Sequence, residues 1–143
     1  MSDETSRVQM AAAEAGIELF IAEDRTLKAR PASKVTPELR ARIAAVKGSL
    51  LGELYVAESI AWEQEVYSTA DRARITATAA PDQFQRWRTL MDAAITASLR
   101  GDAQAAAEAM AQYRLVTMCV ATCAGLPDHR FPDSPNEYPA KEN

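Results

Sequence analysis

The residues best suited to chemistry in this chain are two cysteines and one histidine near its carboxyl end. Cys119 and Cys123 are four residues apart, so both face the same way on a helix, and His129 follows them. Thiolate and imidazole groups are zinc ligands, but no fourth ligand is evident, and structural zinc sites favour closely spaced cysteine pairs on turns. We therefore expect two small buried cysteine side chains rather than a metal centre.

The other polar residues give little support for catalysis. His129 is the only histidine, and it lies in a proline-rich tail where a preorganised catalytic base is hard to build. The paired carboxylates Glu63/Glu65 and Glu23/Asp24 are most simply explained as solvated surface. We predict a protein that is not an enzyme and uses no cofactor or metal. An enzyme or metal protein remains an alternative only if Cys119, Cys123 and His129 meet in space.

Composition favours a helical protein of ordinary domain size. The chain has 143 residues, 48% of them hydrophobic, and much of that share is alanine, the best helix former. Its polar amino terminus is unlike a signal peptide, and no apolar run approaches the ~20 residues that a membrane span needs. These features predict a cytoplasmic protein without a membrane partner. Abundant alanine and arginine are typical of a GC-rich bacterial source.

Charge is unevenly distributed along the chain. The net charge of −4 argues against a general nucleic-acid coat. Residues 25–47 nevertheless contain seven bases and the single acid Glu38: Arg25, Lys28, Arg30, Lys34, Arg40, Arg42 and Lys47. Such a basic segment can attract an acidic peptide or a phosphate backbone. The simpler alternative is a solvated face that the acidic second half of the chain balances.

A β-hairpin is predicted after a short amino-terminal helix. Residues 4–15 have helical spacing and end at Gly16, a typical C′ glycine. Residues 17–22 and 26–30 alternate in polarity on either side of a polar turn. One side of this hairpin carries Ile17, Leu19, Ile21 and Leu27. That side must lie on helices, because a lone hairpin is not stable in water.

The opposite side of the hairpin is a candidate contact surface. It would present Glu18, Phe20, Lys28 and Arg30 to solvent. A phenylalanine flanked by charges suits an apolar anchor for a partner. The alternative is that Phe20 folds over an edge or is covered by the second half of the chain.

Helices are predicted for most of the remaining chain. Thr36 and Pro37 have the types expected for an N-cap and a first helical residue, and Gly48 predicts a kink or break in the pattern. Further helices are expected over residues 49–79, 82–100 and 103–124. The 82–100 helix places six residues on one side: Phe84, Trp87, Met91, Ala94, Ile95 and Ser98.

The amino-terminal third of the chain resembles a known binding family. Four matching pieces occur in order: Gly16-Ile17-x-Leu19 after a short helix, Leu27 in the second strand, Thr36-Pro37-Glu38-Leu39, and Lys47-x-x-Leu50-Leu51-x-x-Leu54. Together they resemble the N-terminal docking domain of TubC, which is found on bacterial hybrid polyketide/non-ribosomal-peptide synthetases. The resemblance covers about residues 5–56.

The resemblance implies a binding mode rather than a reaction. Such domains are small αββαα units that tend to dimerise and receive a short terminal peptide of a partner on the exposed hairpin, largely through charge matching. In this chain the corresponding residues would be Glu18, Phe20, Lys28 and Arg30, with Arg25 at the turn. The sequence continues with about 90 helical residues rather than a carrier, condensation or adenylation domain, so we expect a protein other than a synthetase.

These patterns together predict an α+β fold that is mostly α. We expect an αββα docking-like module over residues 1–48, a helical part with an αα-hairpin over 49–125, and an irregular tail over 126–143. Because alanine-rich helices bury modest area, we expect a homodimer to complete the core.

The predicted function is a non-enzymatic docking adaptor. It would bind a short acidic or amphipathic segment of a partner protein through Glu18, Phe20, Arg25, Lys28 and Arg30. The alternative is a small nucleic-acid-associated or regulatory, inhibitory protein of a bacterial mobile element such as a phage or plasmid. In that case the basic 25–47 segment would contact phosphate.

Overall fold

The computed structural model describes residues 3–127 and contains a helix, a hairpin and five further helices within that range. In chain order the elements are α1 (Asp3–Glu14), β1 (Glu18–Ile21), β2 (Leu27–Arg30), a 3-10 turn (Ala32–Lys34), α2 (Pro37–Ala45), α3 (Lys47–Val66), α4 (Thr69–Thr78), α5 (Pro81–Arg100) and α6 (Ala103–Cys123). The predicted α+β, mostly α class is confirmed. Nearly all of the predicted tail lies outside the described residues.

The turn between α1 and the hairpin depends on a left-handed glycine. Gly16 has φ +76°, and the next amide, that of Ile17, donates to the carbonyl of Ala12 over 2.8 Å. This bond satisfies a carbonyl at the helix end and directs the chain back along α1. Ile17 is thereby buried against Ala12 and Leu39, in a small core that unites α1, the hairpin and α2.

The hairpin has the predicted antiparallel pairing. Leu19 lies opposite Ala29, and both pack against the small core formed by Ala12, Ile17 and Leu39. Asp24 shapes the turn, since its carboxylate accepts hydrogen bonds from the amide and the hydroxyl of Thr26 at 3.1 and 2.6 Å. These bonds lower the pKa of the Asp24 carboxyl, because they stabilise its ionised form.

The start of α2 and the break after it follow the sequence prediction. The Thr36 hydroxyl accepts from the amide of Leu39 at 3.1 Å, and Pro37 is the first helical residue. Helix α2 ends at Ala45 and α3 begins at Lys47, which confirms the predicted interruption near Gly48.

Two glycines on α3 allow a close approach to α5. A Cβ atom on Gly48 would lie 1.9 Å from the carbonyl oxygen of Gly101, and one on Gly52 would lie 2.5 Å from the Ser98 hydroxyl. The contact pairs Gly48–Gly101 and Gly52–Ser98 show that the two helices run in opposite directions. Glycine inside a helix costs about 1 kcal/mol relative to alanine. At Gly48 the close packing that the missing side chain allows outweighs this cost.

Helices α3, α5 and α6 form a three-helix bundle. Its centre contains Ala94, Ala109 and Met110, with Val56, Met91 and Tyr113 packed against them. The turn between α5 and α6 is the predicted one: Gly101 has φ +78°, and Asp102 caps α6 by accepting from the amide of Ala105 at 3.0 Å. Inside the bundle, the buried Arg114 of α6 donates a hydrogen bond to the Ser59 hydroxyl of α3.

The prediction of a single long helix over residues 49–79 is wrong. Helix α3 ends at Val66, and α4 starts anew after Ser68. Ser68 and Asp71 form a reciprocal capping box, in which each side chain accepts from the other residue's amide. Tyr67 sits at the break, only 1% exposed, with its ring edge-on to Trp62 at 5.7 Å. Burying this ring turns the chain so that α4 packs against α6.

The predicted apolar side of α5 is only partly buried, so that prediction is partly wrong. Ala94 and Ser98 are buried as expected, together with Ala97. Phe84 and Ile95 are instead 42% and 45% exposed. Alanine and serine face the neighbouring helices because the bundle packs too closely there for larger side chains, so the larger apolar residues remain at its edges.

The proposed division into modules remains a prediction. The small core of the first 45 residues is separate from the bundle core, but α3 touches both. Gln9 of α1 donates to Glu53 of α3 at 3.1 Å, and the hairpin also contacts α3. No helix among the described residues is long and apolar enough to cross a membrane.

Substituting Gly48 tests the close helix approach. We expect Gly48→Ala to lower the free energy of unfolding by about 1–3 kcal/mol, because the new methyl group meets backbone atoms that cannot rotate away. Gly52→Ala should cost less, since its nearest contact is the Ser98 hydroxyl, which can rotate, whereas the Ser98 Cα and Cβ atoms lie at 3.0 Å. Urea unfolding measures both.

Thr89→Ala is the matched control for these variants. Thr89 is exposed on α5, so alanine there gains helix propensity without a clash. We expect it to be neutral or slightly stabilising. A Gly48→Ala protein as stable as the Thr89→Ala protein would contradict the proposed packing role of Gly48.

Candidate functional site

The structure brings four of the five predicted contact residues to one side of the hairpin. Glu18 lies directly opposite Arg30, and Phe20 lies directly opposite Lys28. Because side chains alternate along a strand, these four project on the side away from Leu19 and Ala29. Glu18, Lys28 and Arg30 are exposed, whereas Phe20 is half-buried.

Arg30 organises this side of the hairpin. Its Nε donates to Glu18 Oε1 over 2.7 Å, and its guanidinium carbon lies 4.1 Å from the centre of the Phe20 ring. The hydrogen bond and charge of Arg30 lower the pKa of the Glu18 carboxyl. The guanidinium therefore covers part of the phenyl ring that was predicted to anchor a partner. A partner must displace Arg30 or bind over it to reach Phe20.

Arg25 lies apart from the other predicted contact residues. Its two terminal nitrogens donate to both carboxylate oxygens of Glu58 on α3, at 2.8 and 3.2 Å. The guanidinium also lies 5.1 Å from the centre of the Tyr55 ring, and only 15% of the Arg25 side chain is exposed. With φ 67°, Arg25 takes the left-handed conformation that the turn requires. It fastens the hairpin turn to α3.

An apolar groove with a basic rim runs along β2. It lies between the hairpin and α2 and has a volume of about 360 Å³. Its apolar lining includes Leu19, Leu27, Ala29, Val35 and Ile43. Three bases border the same groove: Lys28, which lies on β2 although its side chain projects from the other side of the hairpin, Arg40 of α2, and Lys47 at the start of α3. Apolar side chains can enter this groove while acidic groups meet its rim.

Ion pairing leaves the positive charge of residues 25–47 concentrated at this groove. Among residues 3–127, three of the seven bases are paired: Arg25 with Glu58, Arg30 with Glu18, and Arg42 with Glu4 at 3.6 Å. Of the four bases outside those pairs, three border the groove. The groove is thus the described surface best suited to acidic and apolar groups together.

The charge of this groove is visible in the sequence, but the groove itself is not. Arg40 and Lys47 belong to the basic segment, yet nothing in the sequence places them at the contact surface. Their approach to Lys28 depends on how α2 and the start of α3 lie beside β2, which no local pattern reports. The excess of bases over residues 25–47 was the available indication.

The residues suited to metal or nucleophilic chemistry do not form a site within residues 3–127. Cys119 and Cys123 are both exposed, so the prediction that they are buried is wrong. They lie on the outer side of α6, which buries Val120 and Ala121 instead. The described residues contain no group of three or more histidine, cysteine or acidic side chains that could hold a metal. His129 lies outside the described residues.

Comparison of the chain with models of known protein families, with curated proteins and with solved structures finds no match.

A double-mutant cycle tests the role of Arg25. We expect Arg25→Gln and Glu58→Gln to show a coupling free energy of about 1–2 kcal/mol in urea unfolding, because this ion pair is bidentate and mostly shielded from water.

The exposed pair of Arg30 and Glu18 is the matched control, since it joins the same residue types across the hairpin. Its cycle, with Arg30→Gln and Glu18→Gln, should give a much smaller coupling. Equal coupling for the two pairs would show that Arg25 does not tether the hairpin more firmly than a surface contact does.

Proposed function

We propose that this protein is a non-enzymatic docking adaptor that binds a short acidic, amphipathic segment of a partner protein. The observation that carries this proposal is the apolar groove along β2, bordered by Lys28, Arg40 and Lys47. The segment's apolar side chains would enter the groove, and its carboxylates would meet the three cations at the rim.

The free side of β2 favours an extended partner. Within the described residues, β2 pairs only with β1, so its other edge can accept main-chain hydrogen bonds. The groove runs along the same strand. One extended segment would therefore place its side chains in the groove while its backbone pairs with the β2 edge. The resemblance of residues 5–56 to TubC docking domains supports the same binding mode.

Two of the four residues predicted on the outer side of the hairpin have a defined place in this proposal. Lys28 borders the groove and belongs to its basic rim. Arg30 is already paired with Glu18, and an acidic partner residue would compete with Glu18 for it. Exposed ion pairs contribute at most about 1 kcal/mol each, so we expect binding that weakens with added salt.

Nucleic-acid binding is the second candidate function. The excess of bases over residues 25–47 favours it, but three of those bases are engaged with carboxylates. The three at the groove surround apolar residues rather than a continuous basic face. We therefore rank a regulatory protein that contacts phosphate below the docking adaptor.

Peptide selection tests the docking proposal. We expect the wild-type protein to enrich short peptides that combine acidic and apolar residues from a display library. The Lys28→Glu/Arg40→Glu variant should lose this enrichment, because it reverses two rim charges outside the ion pairs that hold the hairpin. Lys28→Glu/Arg30→Glu should reduce it too, although that variant also removes the contact between Arg30 and Glu18.

Arg86→Glu/Arg88→Glu is the control, since it makes the same change of charge on the exposed side of α5. It should retain the selection. Enrichment that survives reversal of the groove charges would refute this binding site. Binding of duplex DNA with a steep loss of affinity on adding salt would favour the second candidate instead.

We also propose that the protein is a homodimer that associates through α3 and α5. Val56, Ile60, Ile95 and Leu99 line a second, apolar groove between these helices, of about 330 Å³. Ile60, Ile95 and Leu99 are each more than 40% exposed. Among the described residues that line it, Glu53 is the only charged one, so this face suits a second copy of itself, whereas the basic groove would repel a second copy.

Sedimentation measures this association. We expect Ile95→Glu/Leu99→Glu to shift the protein from dimer to monomer, because two copies would bury these carboxylates against each other. Leu115→Glu alters a similarly exposed leucine on α6 and should leave the dimer intact. A monomeric wild-type protein at the highest soluble concentration would exclude the homodimer.

A further inference from the structure

A third pocket, of different chemistry from the two grooves, lies in the helical half, far along α3 from the hairpin. It has a volume of about 250 Å³ and is bordered by residues of α3, α4, α5 and α6. Its lining combines a carboxylate, a guanidinium and three aromatic rings: Glu63, Arg72, Phe84, Trp87 and Tyr113. Neither the docking surface nor the dimer face uses these residues.

The aromatic rings form a continuous wall. The centre of the Trp87 ring lies 5.6 Å from that of Phe84 and 6.5 Å from that of Tyr113. The Trp87 indole donates to the Thr117 hydroxyl at 3.0 Å, which fixes the orientation of the ring. Phe84 is 42% exposed, although its ring is large and apolar. Aromatic faces carry partial negative charge and attract ammonium groups.

Glu63 adds a formal negative charge beside this wall. Its side chain is half-buried, and no described lysine or arginine forms an ion pair with it. Burial raises the pKa of the Glu63 carboxyl, whereas the charge of Arg72 lowers it. Burial and the Glu63 charge both raise the pKa of the Tyr113 hydroxyl. A bound cation would compensate this carboxylate.

Arg72 supplies the opposite charge in the same pocket. It donates from Nη2 to the Thr69 hydroxyl at 3.3 Å. Arg72 and Glu63 border one pocket without forming a direct ion pair. The pocket therefore offers a carboxylate with aromatic rings for a cation, and a guanidinium for an anion.

We propose that this pocket binds a small zwitterion that carries an ammonium group and a carboxylate, such as a betaine or a free amino acid. The ammonium lies against Glu63 and the Trp87 and Tyr113 rings, where ring and carboxylate attraction add. The carboxylate of the ligand meets the Arg72 guanidinium, which can bind it through two hydrogen bonds. The pocket volume lies just below the range typical of sites for drug-sized ligands, so the pocket suits a smaller ligand such as a betaine or an amino acid.

Calorimetric titration with matched probes tests this proposal. Glycine betaine carries both charges, choline carries the cation alone, and acetate carries the anion alone. We expect saturable one-to-one binding of betaine or of glycine, and at least tenfold weaker binding of choline and acetate. Tighter binding of betaine assigns a methylated ammonium ligand, and tighter binding of glycine assigns a free amino acid; either result supports the site.

Variants then assign the contacts. Glu63→Gln and Arg72→Gln should each weaken binding of the zwitterion at least tenfold. Trp87→Phe keeps an aromatic ring and should bind better than Trp87→Leu. Glu65→Gln and Arg88→Gln remove like charges at exposed positions outside the pocket and should leave binding unchanged. Circular dichroism of every variant confirms that the helices remain folded.

Three results would overturn the proposal. The first is the absence of saturable binding of betaine and glycine at about 10 mM. The second is choline binding as tightly as betaine, which would remove any role for Arg72. The third is unchanged affinity in a folded Glu63→Gln variant. None of these results bears on the docking groove, since Lys28, Arg40 and Lys47 lie in the other half of the chain.

Discussion

The close approach of α3 to the turn between α5 and α6 is the contact on which the rest of the structure depends. Gly48 and Gly52 have no side chains, so the α3 backbone lies directly on Gly101 and Ser98. This contact sets where α3 starts and which of its sides is buried in the bundle. Glu53 and Glu58 then project toward α1 and the hairpin turn, where they bind Gln9 and Arg25. One helix thus completes the bundle and positions the amino-terminal elements.

Electrostatic pairing determines which charges remain available for a partner. Carboxylates from α1, β1 and α3 engage Arg42, Arg30 and Arg25, and each of these pairs supports a contact within the fold. Lys28, Arg40 and Lys47 lie outside these pairs and surround apolar side chains. In the helical half, Glu63 and Arg72 share a pocket without an ion pair. The proposed sites are places where charged side chains outside any direct ion pair lie beside apolar or aromatic surface.

Local patterns predicted most of the secondary structure because each depends on residues close in sequence. The Gly16 turn, the Thr36-Pro37 helix start and the Gly101-Asp102 turn are all fixed by backbone or capping requirements within a few residues. The break between α3 and α4 was missed, although Ser68 and Asp71 have capping spacing, because apolar residues continue at helical intervals across it. Burial of the Tyr67 ring among distant residues decides that break.

The sequence by itself determined the helical class, the hairpin with its alternating sides, and the excess of positive charge over residues 25–47. These are properties of composition and short-range spacing. Only the tertiary structure decided which bases are free to act: it paired Arg25 with Glu58, stacked Arg30 over Phe20, and gathered Lys28, Arg40 and Lys47 at one groove. It also exposed Cys119, Cys123 and Ile95. The physical reason is that burial and ion pairing depend on which surfaces meet, and residues far apart in the chain supply those surfaces.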